Sequence, residues 1–230
     1  MVRQARSEAT RRRIIDSAID LINEIGYPAS GLADIIERAE LTKGALYYHF
    51  ESKEAVATAI IEEGMDTILD AFRSAGRPSS PAMENIVLGL FVVADAIKAD
   101  SVAQAACRLL RTFGGFNPAA KAAYGILQDD LAERVTSAVE QGDLRSDVDA
   151  EAVVATVLAS TLGAELVSSA LSDGRDLRHR FALNLEILLP AIVAEESLGY
   201  YREFLARQSI RISPSKPQDG LTPRRTTAAP

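Results

Sequence analysis

The stretch LADIIERAELTKGALYYHFESKEAV, residues 32–56, decides how this chain folds. It holds two short helical runs, about 31–38 and 43–49, parted by Ala39-Glu40-Leu41-Thr42. Two short helices joined this way cross steeply, which lets the second enter the major groove of double-stranded DNA. Ala33, Ile36, Leu41 and Leu46 are spaced to form the small core between them. Thr42 stands where it caps the second helix and reaches a phosphate. Lys43 and Gly44 put a cation and bare backbone at the helix start, where a larger side chain would hold the helix off the duplex. Tyr47, Tyr48 and His49 follow as amphipathic groups able to contact phosphates, sugars or a thymine methyl. Phe50 anchors the turn and Ser52 caps the next helix. Lys53, in the first turn of that helix, opposes the dipole preference, and a nearby phosphate would account for it.

Upstream, Ile14, Ile15, Ala18, Leu21, Ile22 and Ile25 form a helical stripe that predicts a helix from Arg11 to Ile25, ended by Gly26. Residues 1–13 carry five arginines against one acid, Glu8. Arg3 and Arg6 of this arm are placed to enter a minor groove or bind phosphates. Residues 1–53 hold eight basic and eight acidic side chains, so the net charge of −7 comes from the remainder. A neutral-to-basic head on an acidic body presents one face to phosphates and is repelled elsewhere.

Downstream, almost everything reads as helix. One helix is predicted from Ser52 to about Ser74, and Gly76-Arg77-Pro78-Ser79-Ser80-Pro81 is the clearest break after it. Further helices are predicted near 82–99, 101–113, 118–141, 149–171, 176–194 and 195–208. Residues 210–230, rich in proline and poor in apolar mass, read as a disordered tail. No alternating pattern lasts long enough to propose a strand. The expectation is an all-α fold. A three-helix helix-turn-helix domain covers 1–52 and a connecting helix 53–76, followed by a helical ligand-binding and dimerisation domain over 77–209.

A single cysteine, Cys107, precludes an internal disulfide, and beside Ala105, Ala106, Leu109 and Leu110 it reads as a small buried apolar group. The arginine-rich start lacks the apolar segment of a secretory signal. No apolar run approaches the ~20 residues of a membrane span, so a cytoplasmic protein with no membrane partner is expected. With His49 and His179 its only histidines, the chain offers no ligand-spaced metal cluster. It has no phosphate-cradling glycine loop and no serine elbow. The expectation is therefore a protein that is not an enzyme, with no cofactor and no metal.

In the stretches Gly26-Tyr27, Leu32–Ile36, Leu41–Phe50 and Ser52-Lys53-Glu54, the sequence closely resembles the DNA-binding domain of the TetR family. Glu40 stands where that family usually has glycine, and a left-handed backbone there would cost on the order of 1 kcal/mol. Gly31 replaces a usual threonine, which shifts capping to Ser30. A narrower resemblance, to the γ-butyrolactone receptors, rests on Arg3-Gln4-Ala5-Arg6, Thr42–Tyr47, Asp176–Arg180 and Leu188–Ile192. Members of that branch typically carry a pocket tryptophan; this chain has none, and Leu127 takes that place by spacing. Butyrolactone, butenolide and furan effectors therefore stay open. The resemblance implies a homodimer on a palindromic operator, a repressor released by a small signalling molecule. It also implies DNA contacts from Thr42, Lys43, Gly44, Ala45, Tyr47, Tyr48, His49 and Lys53.

In the body, a largely apolar pocket is expected among helices four to eight. Its candidate residues are Met65, Tyr124, Leu127, Gln128 and Thr161, with Tyr124 and Thr161 adding hydroxyls to an apolar wall. Arg108 and Arg111 can pair with an acidic ligand or form surface salt bridges. Val153, Val157, Ser160, Thr161 and Ala164 make one helix face, and Leu177, Phe181, Leu185, Leu188 and Ile192 the stripe opposite it. Such a helix pair, doubled by a second subunit, builds a four-helix interface. The competing reading is a constitutive DNA-binding regulator without a ligand, which a filled core would favour.

Overall fold

A computed structural model describes residues 2–77 and 79–210. The tail expected over 210–230, apart from Ile210, lies outside the described residues. The helices are α1 (Val2–Ile25), α2 (Leu32–Arg38), α3 (Lys43–His49), α4 (Lys53–Ser74) and α5 (Ala82–Ala99). They continue as α6 (Ser101–Phe113), α7 (Pro118–Glu140), α8 (Ala150–Ser172), α9 (Leu177–Ile192) and α10 (Glu195–Ile210). Among the described residues there is no strand, only an isolated bridge between Leu144 and Val193. The fold is all-α, with a helix-turn-helix head and a helical body.

The first helix begins at Val2, well before the Arg11 start expected from its apolar stripe. Its polar first half is stitched locally, Gln4 to Glu8 and the Thr10 hydroxyl to the Arg6 carbonyl. Hydrophobic periodicity is blind to such a segment. Ile14, Ile15, Ala18, Leu21 and Ile22 then turn into the core, while Ile25 is exposed.

Between α2 and α3, the expected residues Leu46, Ile36 and Leu41 do pack into the core, joined by Ile35, but Ala33 does not. Ile35 and Leu46 are buried, Ile36 and Leu41 half-buried, and Ala33 exposed. With Ile35 inward, Ala33, two steps back, lies on the far side of the helix. The cap of α2 is Gly31 rather than Ser30: the Gly31 amide donates to the Asp34 carboxylate at 2.7 Å, while the Ser30 hydroxyl donates to the Tyr27 carbonyl at 3.0 Å.

In the turn, Glu40 has a φ of 49°, the left-handed region that favours glycine. Its carboxylate meets Arg13 at 3.2 Å in an exposed pair, an interaction of little worth. Glu40→Gly is therefore expected to stabilise the protein by about 1 kcal/mol through relief of the Cβ strain. The gain should appear as a higher urea midpoint with an unchanged slope. An equal or lower midpoint would mean that the Arg13 pair outweighs the strain.

From the head, α4 runs into the body, packing on α1, α5, α6 and α7. In the body, Val153, Val157 and Ala164 of α8 and Leu177, Phe181, Leu185 and Ile192 of α9 are all buried within the protomer. These stripes therefore build the core. The apolar residues that face outward are Leu166, Val167 and Leu171 of α8 with Leu183 and Ile187 of α9. Contrary to expectation, α8 is long and apolar enough, by length and composition, to cross a membrane. Both α8 and α9 thus carry exposed apolar residues beside their buried stripes.

Candidate nucleic-acid interface and ligand cavity

The second helix of the turn motif is held by one face and presents the other. Leu46 and Phe50 are buried, the latter beneath the Arg11 guanidinium at 5.2 Å from the ring centroid. Lys43, Gly44, Tyr47 and Tyr48 are exposed, and Ala45 and His49 half-buried. The Thr42 oxygen accepts the Ala45 amide at 3.2 Å, which caps α3 and leaves the hydroxyl proton for an outside acceptor. The Lys43 ammonium lies 5.7 Å from the Tyr47 ring centroid, and Tyr48 meets His49 edge-on at 4.9 Å. A Cβ built on Gly44 would meet nothing within 4 Å. The fold itself makes no demand for glycine there.

Cations around this helix are divided between internal and free roles. Arg12 is held by Asp16 and Glu63, and Arg13 by Glu40. Arg6 is exposed, and Arg3 lies on the first turn of α1. Lys53 departs from expectation. Its ammonium donates to the Tyr27 carbonyl and sits 4.0 Å from the Tyr27 ring centroid. Burial lowers its pKa. A carbonyl and an aromatic face satisfy this first-turn lysine, so no phosphate is needed to explain it. It is a strut tying α4 to the end of α1.

In the body, a cavity of about 280 Å³ lies among α4 to α9. Met65, Tyr124, Leu127 and Thr161 line it, and Phe181 adds a wall from α9 that the sequence reading left out. Gln128 does not line it; it is exposed, in a separate groove against the start of α8. Although one turn from Tyr124, Gln128 lies on the side of α7 away from Leu127, where it joins Ala132 and Thr136 against the start of α8. The Thr161 hydroxyl donates to the Val157 carbonyl at 2.7 Å, so its oxygen is left to accept from a guest. Burial raises the Tyr124 phenol's pKa, which keeps it a hydrogen-bond donor. The Cys107 thiol is also in the wall, and burial pushes its pKa up to about 12. As a neutral thiol it is inert.

At the polar corner of the cavity, sequence reasoning named Arg111, for an acidic ligand or a salt bridge, but not its partner Glu165. Arg111 forms an ion pair with Glu165, and its second terminal nitrogen donates to Ser169 at 3.2 Å. Both charged groups line the cavity. A signal was available: Arg111 is one helical turn after Cys107, and Glu165 one turn after Thr161. Arg108 faces a different, smaller cleft.

The cavity and the head share structure. α6, which carries Cys107, Leu110 and Arg111, reaches the head at both ends. Asn23 of α1 donates to the Ser101 carbonyl at 2.9 Å, and the rings of Tyr27 and Phe113 meet at 4.9 Å. Just beyond α6, the buried Asn117 side chain donates to Thr58 of α4 at 3.0 Å and caps α7. Sequence reasoning gave α4 alone the part of touching both units; the structure adds α6.

A head that offers a short exposed helix to DNA, joined through shared helices to a body with an apolar cavity, is the build of a DNA-binding regulator. The signature described as "Bacterial regulatory proteins, tetR family" matches residues 14–60. The A-factor receptor protein of Streptomyces griseus is 34% identical over 195 residues, covering 84% of this chain and 67% of that protein. This chain belongs to the tetR family of bacterial regulatory proteins. A solved γ-butyrolactone receptor described as ArpA-like superposes with a TM-score of 0.72 at 27% identity, over 88% of this chain and 98% of its own. CprB of Streptomyces coelicolor, solved with its operator sequence, superposes with a TM-score of 0.72 at 30% identity, over 89% of this chain and 98% of its own.

Proposed function

We propose that the protein is a homodimeric repressor that leaves a palindromic operator when a small signalling molecule fills its cavity. The guest would be of butyrolactone, butenolide or furan type. The observation that carries this reading is that the same helices, α4 and α6, wall the cavity and hold the head. A guest acts on DNA only through a difference in affinity between two arrangements of the protein. Here any shift of α6 that accommodates the guest pulls directly on Asn23 and Tyr27.

In this reading residues 1–52 bind DNA, 53–76 connect, and 77–209 bind the guest and dimerise, all in the cytoplasm. Thr42, Lys43, Gly44, Ala45, Tyr47, Tyr48 and His49 face the major groove, with Arg3 and Arg6 on the flanking backbone. The guest meets Met65, Leu127 and Phe181 through apolar contact and Tyr124 and Thr161 through hydrogen bonds. The outward apolar residues of α8 and α9 support a dimer, since a second copy would bury Leu171 and Ile187. Two heads then reach half-sites about 34 Å apart. The cavity speaks against a constitutive regulator with a filled core. The relatives described as receptors support a small-molecule guest.

The test is selection of bound duplexes from a random pool, followed by titration of the recovered sites with γ-butyrolactones, butenolides and alkylfurans. Recovered sites should be palindromic, and an active compound should weaken binding roughly 5- to 150-fold, the usual range of such coupling. Recovery of no palindrome, or an affinity unmoved by any compound that binds the body, contradicts the reading.

A further inference from the structure

We infer that Glu165, by holding Arg111, makes the cavity select neutral guests and refuse those bearing a carboxylate. The inference deepens the reading of the cavity as an effector site and rests on it.

Among the described residues lining the cavity, Arg111 is the one cation and Glu165 the one acid. The rest of the wall is apolar except for Tyr124, Thr161 and the neutral Cys107 thiol. An anion placed there has no other positive partner, and a buried charge without one is strongly disfavoured. The terminal nitrogens of Arg111 are already engaged, one by Glu165 and the other by Ser169. To pair with Arg111 as closely as Glu165 does, a guest carboxylate would have to evict Glu165, whose side chain is only 13% exposed. Eviction breaks a neutral, half-buried pair and brings a second negative charge beside Glu165, which then has only the adjoining cleft of Lys98 and Arg108 to turn to. Without eviction, the guest faces Glu165's own negative charge. Either way the acid is rejected.

A neutral guest meets no such opposition. Its carbonyl can accept from the Tyr124 hydroxyl, and its hydroxyl can donate to the Thr161 oxygen, whose own proton is committed to Val157. The ion pair is left intact as part of the wall. Rejection by an unsatisfied charge discriminates far more sharply than the fit of one methylene more or less.

A matched pair of probes tests this: γ-decalactone and the decanoate anion, of equal carbon count, titrated calorimetrically into the full chain at neutral pH. The proteins are the wild type, Glu165→Gln, and the double variant Glu165→Gln/Arg111→Met, with thermal unfolding as a check that each is folded. Wild type should bind the lactone at least ~10-fold more tightly than decanoate, given the cost of an unpaired buried charge. In Glu165→Gln, Arg111 is released to the guest and that preference should shrink at least ~10-fold or reverse. The double variant should lose the gain for decanoate, which a general loosening of the cavity would not do. If wild type binds decanoate as tightly as the lactone, or if Glu165→Gln keeps the wild-type preference, the inference is overturned. The wild-type comparison decides even if a variant fails to fold. If neither probe binds the wild type, the effector-site reading itself fails, and this inference with it.

Discussion

Gly44→Leu should leave the isolated protein as stable as before while weakening operator binding on the order of a hundredfold or more. The expectation separates two kinds of glycine. At Gly44 an added Cβ meets nothing within 4 Å, and the backbone there is ordinary helix. Glycine inside a helix is disfavoured relative to alanine by about 0.5–1 kcal/mol, so folding alone gives no reason for it. Its neighbours explain the choice. Thr42, Lys43 and Tyr47 surround it on the exposed side of α3, and a bulky group among them would stand between the helix and the groove. Overpacking costs about 1–3 kcal/mol in a close-packed contact. Two heads per dimer double that loss, which amounts to on the order of a hundredfold or more in affinity. Fluorescence anisotropy on the selected operator and thermal unfolding of the same preparation give the two numbers. Unchanged affinity would mean that α3 does not face DNA by its first turn. A matching loss of stability would mean that Gly44 serves the fold after all.

Most of the helices were legible because their ends are written locally. Thr42, Ser52, Asn117 and Asp149 each accept an amide two or three residues on, and such caps need nothing beyond their own segment. What local signals miss is phase and partnership. Ile35 is buried more fully than the expected Ile36, and Leu127 but not Gln128 faces the cavity; adjacent apolar or amphipathic residues give no local reason to prefer one register. Lys53 looked like a phosphate ligand because its partner, the Tyr27 carbonyl, lies 26 residues away in sequence. Arg111 and Glu165 are 54 apart, and only the folded chain, which brings both to the wall of one cavity, shows that they neutralise each other. The stripes of α8 and α9 were read correctly as complementary. Each helix, however, has a second apolar face, and composition cannot say which one meets a neighbour in the same chain.

Gly64→Ala is the opposite case, where both stability and regulation should suffer. α4 packs more extensively on α6 than on any other helix, and Gly64 lies directly against α6. A Cβ at Gly64 would lie 2.4 Å from the Ala106 Cβ and 2.8 Å from the Val102 carbonyl oxygen. Carbon atoms pack at ~3.5–4.0 Å, and neither obstacle can rotate away, one being a methyl fixed to its backbone and the other the backbone itself. The helices must separate. The strain should cost about 1–3 kcal/mol, less the fraction of a kilocalorie alanine returns in helix propensity. A lower thermal midpoint would report it. Separation also loosens the contact through which a guest beside Met65, Leu110 and Arg111 would move the head. The ligand-induced drop in operator affinity, 5- to 150-fold in a typical coupled system, should fall to about threefold or less in the variant. Ligand binding itself should survive, because Gly64 is not part of the cavity wall. That combination, a guest bound but unheard, is what distinguishes a broken link from a collapsed site. If Gly64→Ala lowers the midpoint yet still releases DNA as fully as the wild type, coupling must run through the Asn23–Ser101 and Tyr27–Phe113 contacts. The close approach of α4 to α6 would then be only packing.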